Sequence, residues 1–206
     1  MLFRLLGATV IAAGLACAAE ASGYYVLVGV HEVGSELMLK RDGTFEYVFI
    51  YGAADYHAKG KWRQDGNAVV LTADGAGEKP FRMTNATKGP AGEFRVFVKG
   101  PNGRGVEHID VAVKTSNGMV EGRTNADGVA RFADVAGVRA VALRVPVYDV
   151  EDGPYDVGAG QTELTFEING EAITQVPFKD ERLAMAEGGL EMRFWNRDRV
   201  MRYRKQ

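Results

Sequence analysis

The stretch that decides the fold reads Lys40-Arg41-Asp42-Gly43-Thr44-Phe45-Glu46-Tyr47-Val48-Phe49-Ile50-Tyr51, followed by Tyr56-His57-Ala58-Lys59-Gly60-Lys61-Trp62-Arg63. Its period is two. Phe45, Tyr47, Phe49 and Tyr51 share one face; Tyr56, Ala58, Gly60 and Trp62 share another, with His57, Lys59, Lys61 and Arg63 opposite. Such alternation marks half-buried strands, because successive side chains of an extended chain point to opposite faces. Arg41-Asp42-Gly43 and Gln64-Asp65-Gly66-Asn67 separate the runs, and Asp-Gly supplies the positive φ that a tight hairpin needs. Working outward, strands are predicted near 24–31, 35–40, 44–51, 56–63, 67–72 and 80–85, an antiparallel up-and-down meander.

The texture changes at Lys88-Gly89-Pro90-Ala91-Gly92, which reads as a linker. Shorter strands follow at Phe94–Val98, His108–Thr115, Val129–Ala133 and Val138–Val147, and an acidic, turn-rich stretch from Asp149 to Gly160 closes this part. Thr162–Ile168, Ala172–Val176, Leu190–Trp195 and Arg199–Arg204 return to the hairpin style, with a turn at Asn169-Gly170 and one possible helical turn at Lys179–Ala186. The expected fold is all-β: a meander barrel from 22–88 plus 160–206, carrying an inserted small sandwich at 92–150. Three consecutive pieces without closure between the chain ends form the alternative topology.

Residues 1–21 are a different material. Arg4 precedes an uncharged apolar run from Leu5 to Ala16, and Ala19-Glu20-Ala21 has the small-x-small form of a signal-peptidase site. A secretory signal cleaved near Ala21 is the expectation, with a periplasmic or secreted product; lipid anchoring at Cys17 is the rival reading. Cys17 is the single cysteine of the 206 residues, so cleavage would remove disulfides, thiolate ligands and a cysteine nucleophile together. A net charge of −2 argues against a general nucleic-acid binder. Gly accounts for 26 residues and Pro for only 6, a balance that suits many tight turns.

The run Glu36–Tyr47, with Gly60-Lys61-Trp62 and Asp65–Leu71, resembles the meander of lipocalin-like and NlpE-like proteins of bacterial envelopes. The Cys-x-x-Cys associated with copper in the NlpE-like family is missing, so no metal or redox role is carried over. The stretch Gly105-Val106, Ile109–Val113 and Gly122-Arg123-Thr124-Asn125-Ala126-Asp127-Gly128-Val129-Ala130-Arg131-Phe132 resembles the prealbumin-like, or carboxypeptidase-regulatory-like, Ig-type sandwich modules of secreted proteins. That resemblance implies a folding and interaction unit without catalysis of its own.

Candidate chemistry is sparse. His57 and His108 fall on charged strand faces, and His31 beside Glu32 would need further ligands to hold zinc. Asp149, Glu151, Asp152 and Asp156 offer oxygens to Ca²⁺, but their spacing fits no standard loop, and a solvated acidic loop is the plainer account. The last fourteen residues carry Arg193, Arg197, Arg199, Arg202, Arg204 and Lys205 against Asp198. Arg197, Arg199, Arg202 and Arg204 are candidate contacts to anionic lipid, lipopolysaccharide or an acidic partner; alternatively they protect an edge strand from aggregation. The aromatic row Phe45, Tyr47, Phe49 and Tyr51, with Trp62, is the candidate lining of a pocket for a small apolar ligand, with a packed core as the alternative. The expectation is therefore a non-enzymatic envelope protein without cofactor that binds a partner or apolar ligand through the barrel. The competing expectation is a solid barrel whose inserted sandwich docks on another envelope protein.

Overall fold

The structure is a computed structural model that describes residues 21–193 and 199–206. Residues 1–20 with Cys17, the end of the Leu190–Trp195 stretch, and Arg197 lie outside the described residues. In chain order the strands are β1 (Gly23–Val28), β2 (Val33–Leu39), β3 (Thr44–Tyr51), β4 (Ala54–Asp65), β5 (Ala68–Ala73), β6 (Phe81–Thr87), β7 (Glu93–Lys99), β8 (Asp110–Thr115), β9 (Gly118–Arg123), β10 (Val129–Ala133), β11 (Ala140–Val145), β12 (Val150–Asp156) and β13 (Glu163–Ile168), then β14 (Glu181–Ala186), β15 (Gly189–Met192) and β16 (Met201–Lys205). A short helix, α1 (Gly170–Thr174), separates β13 from β14. The chain divides into two units, one formed by residues up to Ala76 together with Gln175–Gln206, the other by Gly77–Thr174.

The first unit is a closed eight-stranded antiparallel barrel in the order β1-β16-β15-β14-β5-β4-β3-β2. The all-β expectation and the barrel closed by both chain ends are thus met. The alternating residues of β3 set its inside: Phe45 and Tyr47 are buried while Glu46 and Val48 face out. Trp62 is buried too, and its indole N–H donates to the Lys40 carbonyl at 2.8 Å, which ties β4 to the β2–β3 turn. Beyond Gly60, β4 pairs with β5. Before it, the gap is sealed by residues 175–178: Val176 donates to the His57 carbonyl at 2.8 Å and Ala73 to the Phe178 carbonyl at 2.9 Å. This strap delivers Phe178 to the interior, 5.1 Å from the Tyr47 ring and 6.0 Å from Phe45 between centroids.

Two local expectations in this unit are corrected. Lys179–Ala186 contains strand β14 rather than a helical turn, because its residues pair with Ala68–Leu71 of β5 and Leu183 alternates inward. β16 is no edge strand, since it lies between β1 and β15.

The second unit is a sandwich of two four-stranded sheets, β10-β7-β13-β6 and β12-β11-β8-β9. Phe81, Phe94, Val96, Val111, Val113, Phe132, Val141, Leu143, Leu164 and Phe166 form its core. The inserted module is therefore larger than 92–150: β6 and β13 pair with each other and β13 runs parallel to β7, so neither belongs to the barrel. The insertion spans 77–174 instead. Ala172–Val176 is not a strand. Asn169 Oδ1 accepts the Ala172 N–H at 3.3 Å and starts α1, where the Asn-Gly dipeptide had suggested a hairpin. The acidic stretch forms β12 against β11.

The Thr-x-x-Asp-Gly-x-Ala turn is built as its residues require. Thr124 Oγ1 accepts the Ile109 N–H at 2.9 Å and donates to the Val106 carbonyl at 2.8 Å. Asn125 Oδ1 accepts from Asp127 and Val129. Gly128 has φ +75°, and a Cβ there would press on the Val98 carbonyl and the Gly105 backbone.

Candidate functional site

The aromatic row divides. Phe45 and Tyr47 are each 1% exposed, Trp62 5% and Phe49 9%, whereas Tyr51 is 60% exposed. Tyr51 is the last residue of β3 and pairs with Val33 and Ala54 at the strand's end, beyond the packed interior. A side chain lining a solvent-sized void keeps accessible surface on the side facing it. Phe45 and Tyr47 keep almost none, so the barrel is filled at their level by Phe178, Leu37, Leu39, Leu71 and Tyr203, all fully buried. Such a filled interior is normal for an eight-stranded barrel, whose bore is just wide enough for its own side chains.

The buried hydroxyls are satisfied within the barrel. Ser35 Oγ donates to the Val48 carbonyl at 2.8 Å. With its one proton so used, Ser35 accepts from Tyr203 Oη at 2.8 Å, and Tyr203 in turn accepts from Tyr47 Oη at 3.2 Å. The result is a directed chain, Tyr47 to Tyr203 to Ser35 to Val48, in which every O–H has an acceptor. Burial pushes the Tyr47 phenol far above the ordinary tyrosine range and raises Tyr203 as well. These phenols are held neutral; their role is to hold β2, β3 and β16 together.

A second candidate lies on the outer face of β12-β11-β8-β9 in the sandwich. Ala112 and Ala142, opposite each other on β8 and β11, floor a trough of about 490 Å³. Register places Glu151, Arg144, Asp110 and Arg123 in one row across β12, β11, β8 and β9. Charges therefore alternate in sign along one wall. Arg123 Nε contacts Asp110 Oδ1 at 2.6 Å, and Arg144 reaches Asp149 Oδ1 at 2.6 Å. The hydrogen bond it donates to Asp149 raises the Arg144 pKa further, so its charge is fixed. Glu121 faces Ala112 across the ladder and so has no charged cross-strand neighbour on β8. This surface offers directed charge of both signs around a shallow floor, which suits a polar protein surface better than an apolar small molecule.

The remaining sequence candidates are dispersed. His31 and His108 are exposed and His57 half-buried, and among the described residues no three His, Cys, Asp or Glu side chains converge as metal ligands. The acidic stretch does not converge on a cation site either. Asp149 pairs with Arg144, whereas Asp152 Oδ2 accepts from Phe81 N–H at 3.2 Å and Tyr155 Oη at 2.6 Å. Arg199, Arg202 and Arg204 are exposed, and Arg202 pairs with Glu191 at 3.1 Å. Among the described residues no helix is long and apolar enough to cross a membrane.

No family model, curated protein or solved structure matches the chain. Phe178 and Ser35 went unmarked in the sequence. A lone Phe between Pro177 and Lys179 has no periodicity to announce it, and a serine on an apolar face reads as an interruption. The trough was equally hidden, because its row is assembled from four strands and one of them, β9, is exposed over nearly its whole length.

Proposed function

We propose that this is an exported, non-enzymatic protein of the bacterial envelope in which the barrel is a solid scaffold and the inserted sandwich docks on a protein partner. The observation that carries the reading is the filled barrel: Phe45, Tyr47, Phe178 and Tyr203 occupy the space an apolar ligand would need. The signal-like residues 1–21 support export. The alternating charges of Glu151, Arg144, Asp110 and Arg123 support a partner of mixed polarity, since fixed charge of both signs confers specificity and orientation.

The test is site-specific photo-crosslinking in native cells, with the probe at Ala112 or Ala142 in the trough and, for comparison, at Val48 on the barrel exterior. A discrete protein adduct from the trough positions, lost with Arg144→Glu, is the expected result. Absence of any adduct overturns the docking reading. A lipid or other apolar molecule that co-purifies, and whose binding Tyr47→Ala abolishes, would return the function to the barrel.

A further inference from the structure

A closed barrel has no strand edges, so the open edges described here belong to the sandwich. Three are blunted. β12 carries Pro154 and a register shift against β11, β6 is bulged opposite Thr165 and Phe166, and β10 is five residues long. β9, Gly118-Met119-Val120-Glu121-Gly122-Arg123, has neither proline, lysine nor bulge. Met119 is 59% exposed and Val120 37%.

The ladder's parity says which backbone groups this edge presents. Thr124 donates its N–H to the Ile109 carbonyl at 2.9 Å, so by alternation Gly122, Val120 and Gly118 face β8. The N–H and C=O groups of Met119, Glu121 and Arg123 point away from the sheet. Their side chains share the outer face, where Glu121 lies opposite Ala112 and Arg123 opposite Asp110.

We propose that β9 pairs antiparallel with β9 of a second copy of this chain, about a two-fold axis at Gly122. The occupant follows from charge complementarity. In this register Glu121 of each copy lies directly opposite Arg123 of the other, giving a cation to a carboxylate that has only Ala112 opposite it on β8. The reverse pair completes itself by symmetry, as an isologous contact requires. Glu121 and Arg123 are also the residues whose outward N–H and C=O groups exchange hydrogen bonds across the axis. The glycine at the axis leaves no side chains to collide there. The two four-stranded sheets become one of eight. Sliding the register by two residues to centre it on Glu121 puts like charges face to face, which disfavours that alternative. The inference goes beyond the docking proposal and does not rest on it: the hydrogen bonds of the dimer come from the edge of β9, although Arg123 also stands at the end of the charged row.

The test is sedimentation equilibrium of the full mature chain at about 100 µM, a concentration that populates a micromolar dimer. A dimer is expected. Glu121→Lys, which sets two cations opposite each other twice, should weaken it about tenfold or more. Glu121→Pro should abolish it while leaving the far-UV circular dichroism unchanged, because the lost N–H faces outward and takes no part in the ladder to β8. Glu121→Lys combined with Arg123→Glu should restore association. A wild type that remains monomeric overturns the proposal. So does a dimer indifferent to Glu121→Pro, or one that Glu121→Pro dissociates and Glu121→Lys leaves intact.

Discussion

Replacing Tyr203 by Phe should destabilise the barrel more than replacing Tyr47 by Phe, although both changes delete one buried phenolic oxygen. Tyr203 is a middle link: it accepts from Tyr47 at 3.2 Å and donates to Ser35 at 2.8 Å. Removing its hydroxyl takes the 3.2 Å acceptor from the Tyr47 O–H, 1% exposed and packed against Phe178, and leaves Ser35 as the hydroxyl remaining beside it. An orphaned buried donor costs about 1–3 kcal/mol beyond the bond itself, so Tyr203→Phe is expected to cost about 2–3 kcal/mol. Tyr47 is the head of the chain. Its removal leaves the Tyr203 proton still bonded to Ser35, and Tyr47→Phe should cost only about 0.5–1.5 kcal/mol. Removing both hydroxyls eliminates the orphan, so the double variant should be no worse than Tyr203→Phe alone. Urea unfolding followed by tryptophan fluorescence reads these differences as midpoint shifts at constant slope. Equal costs for the two single variants, or strict additivity in the double, would refute the directed chain.

Phe178→Ala should cost about 3–5 kcal/mol in the same assay because the strap's aromatic fills space beside Phe45 and Tyr47, whereas Tyr51→Ala, on a 60% exposed residue, should stay within about 0.5 kcal/mol. Raised phenol pKa values give the barrel an alkaline limit. Below pH 10 folded and unfolded chains alike keep the Tyr47 and Tyr203 protons, but above it the unfolded chain releases protons the folded one retains, so stability falls by about 1.4 kcal/mol per pH unit for each phenol. Absorbance near 295 nm should therefore report these two only as the barrel unfolds; their ionisation with circular dichroism intact would contradict the buried chain. Gly128→Ala should lower the sandwich's melting temperature by several degrees, since φ +75° and the Val98 carbonyl both oppose a Cβ, and an unchanged melting temperature would show that the turn relaxes freely.

Period-two alternation and Asp-Gly turns were legible along the chain, and they placed β3 residue for residue, β2, β4 and β5 within two residues and β1 within three. They also put Phe45, Tyr47 and Trp62 on the inner face. Alternation states which side of a strand is buried, not which strand lies beside it. That is why β6 and β13 were assigned to the barrel although they pair with each other. For the same reason the alternation of the final strand suits an edge as well as its actual place closing the ring between β1 and β15.

Local rules failed where pairing with another strand decided the outcome. β14 formed because β5 was there to pair with it, and β12 formed against β11 through a stretch whose composition suggests only a loop. The functional surfaces lie at the same level. The hydroxyl chain spans Ser35, Tyr47 and Tyr203, the charged row spans four strands, and Phe178 enters the barrel only when the chain returns from the insertion. Each depends on contacts between residues far apart along the chain. A sequence pattern of period two holds the local half of that information, and the closure of the sheets supplies the rest.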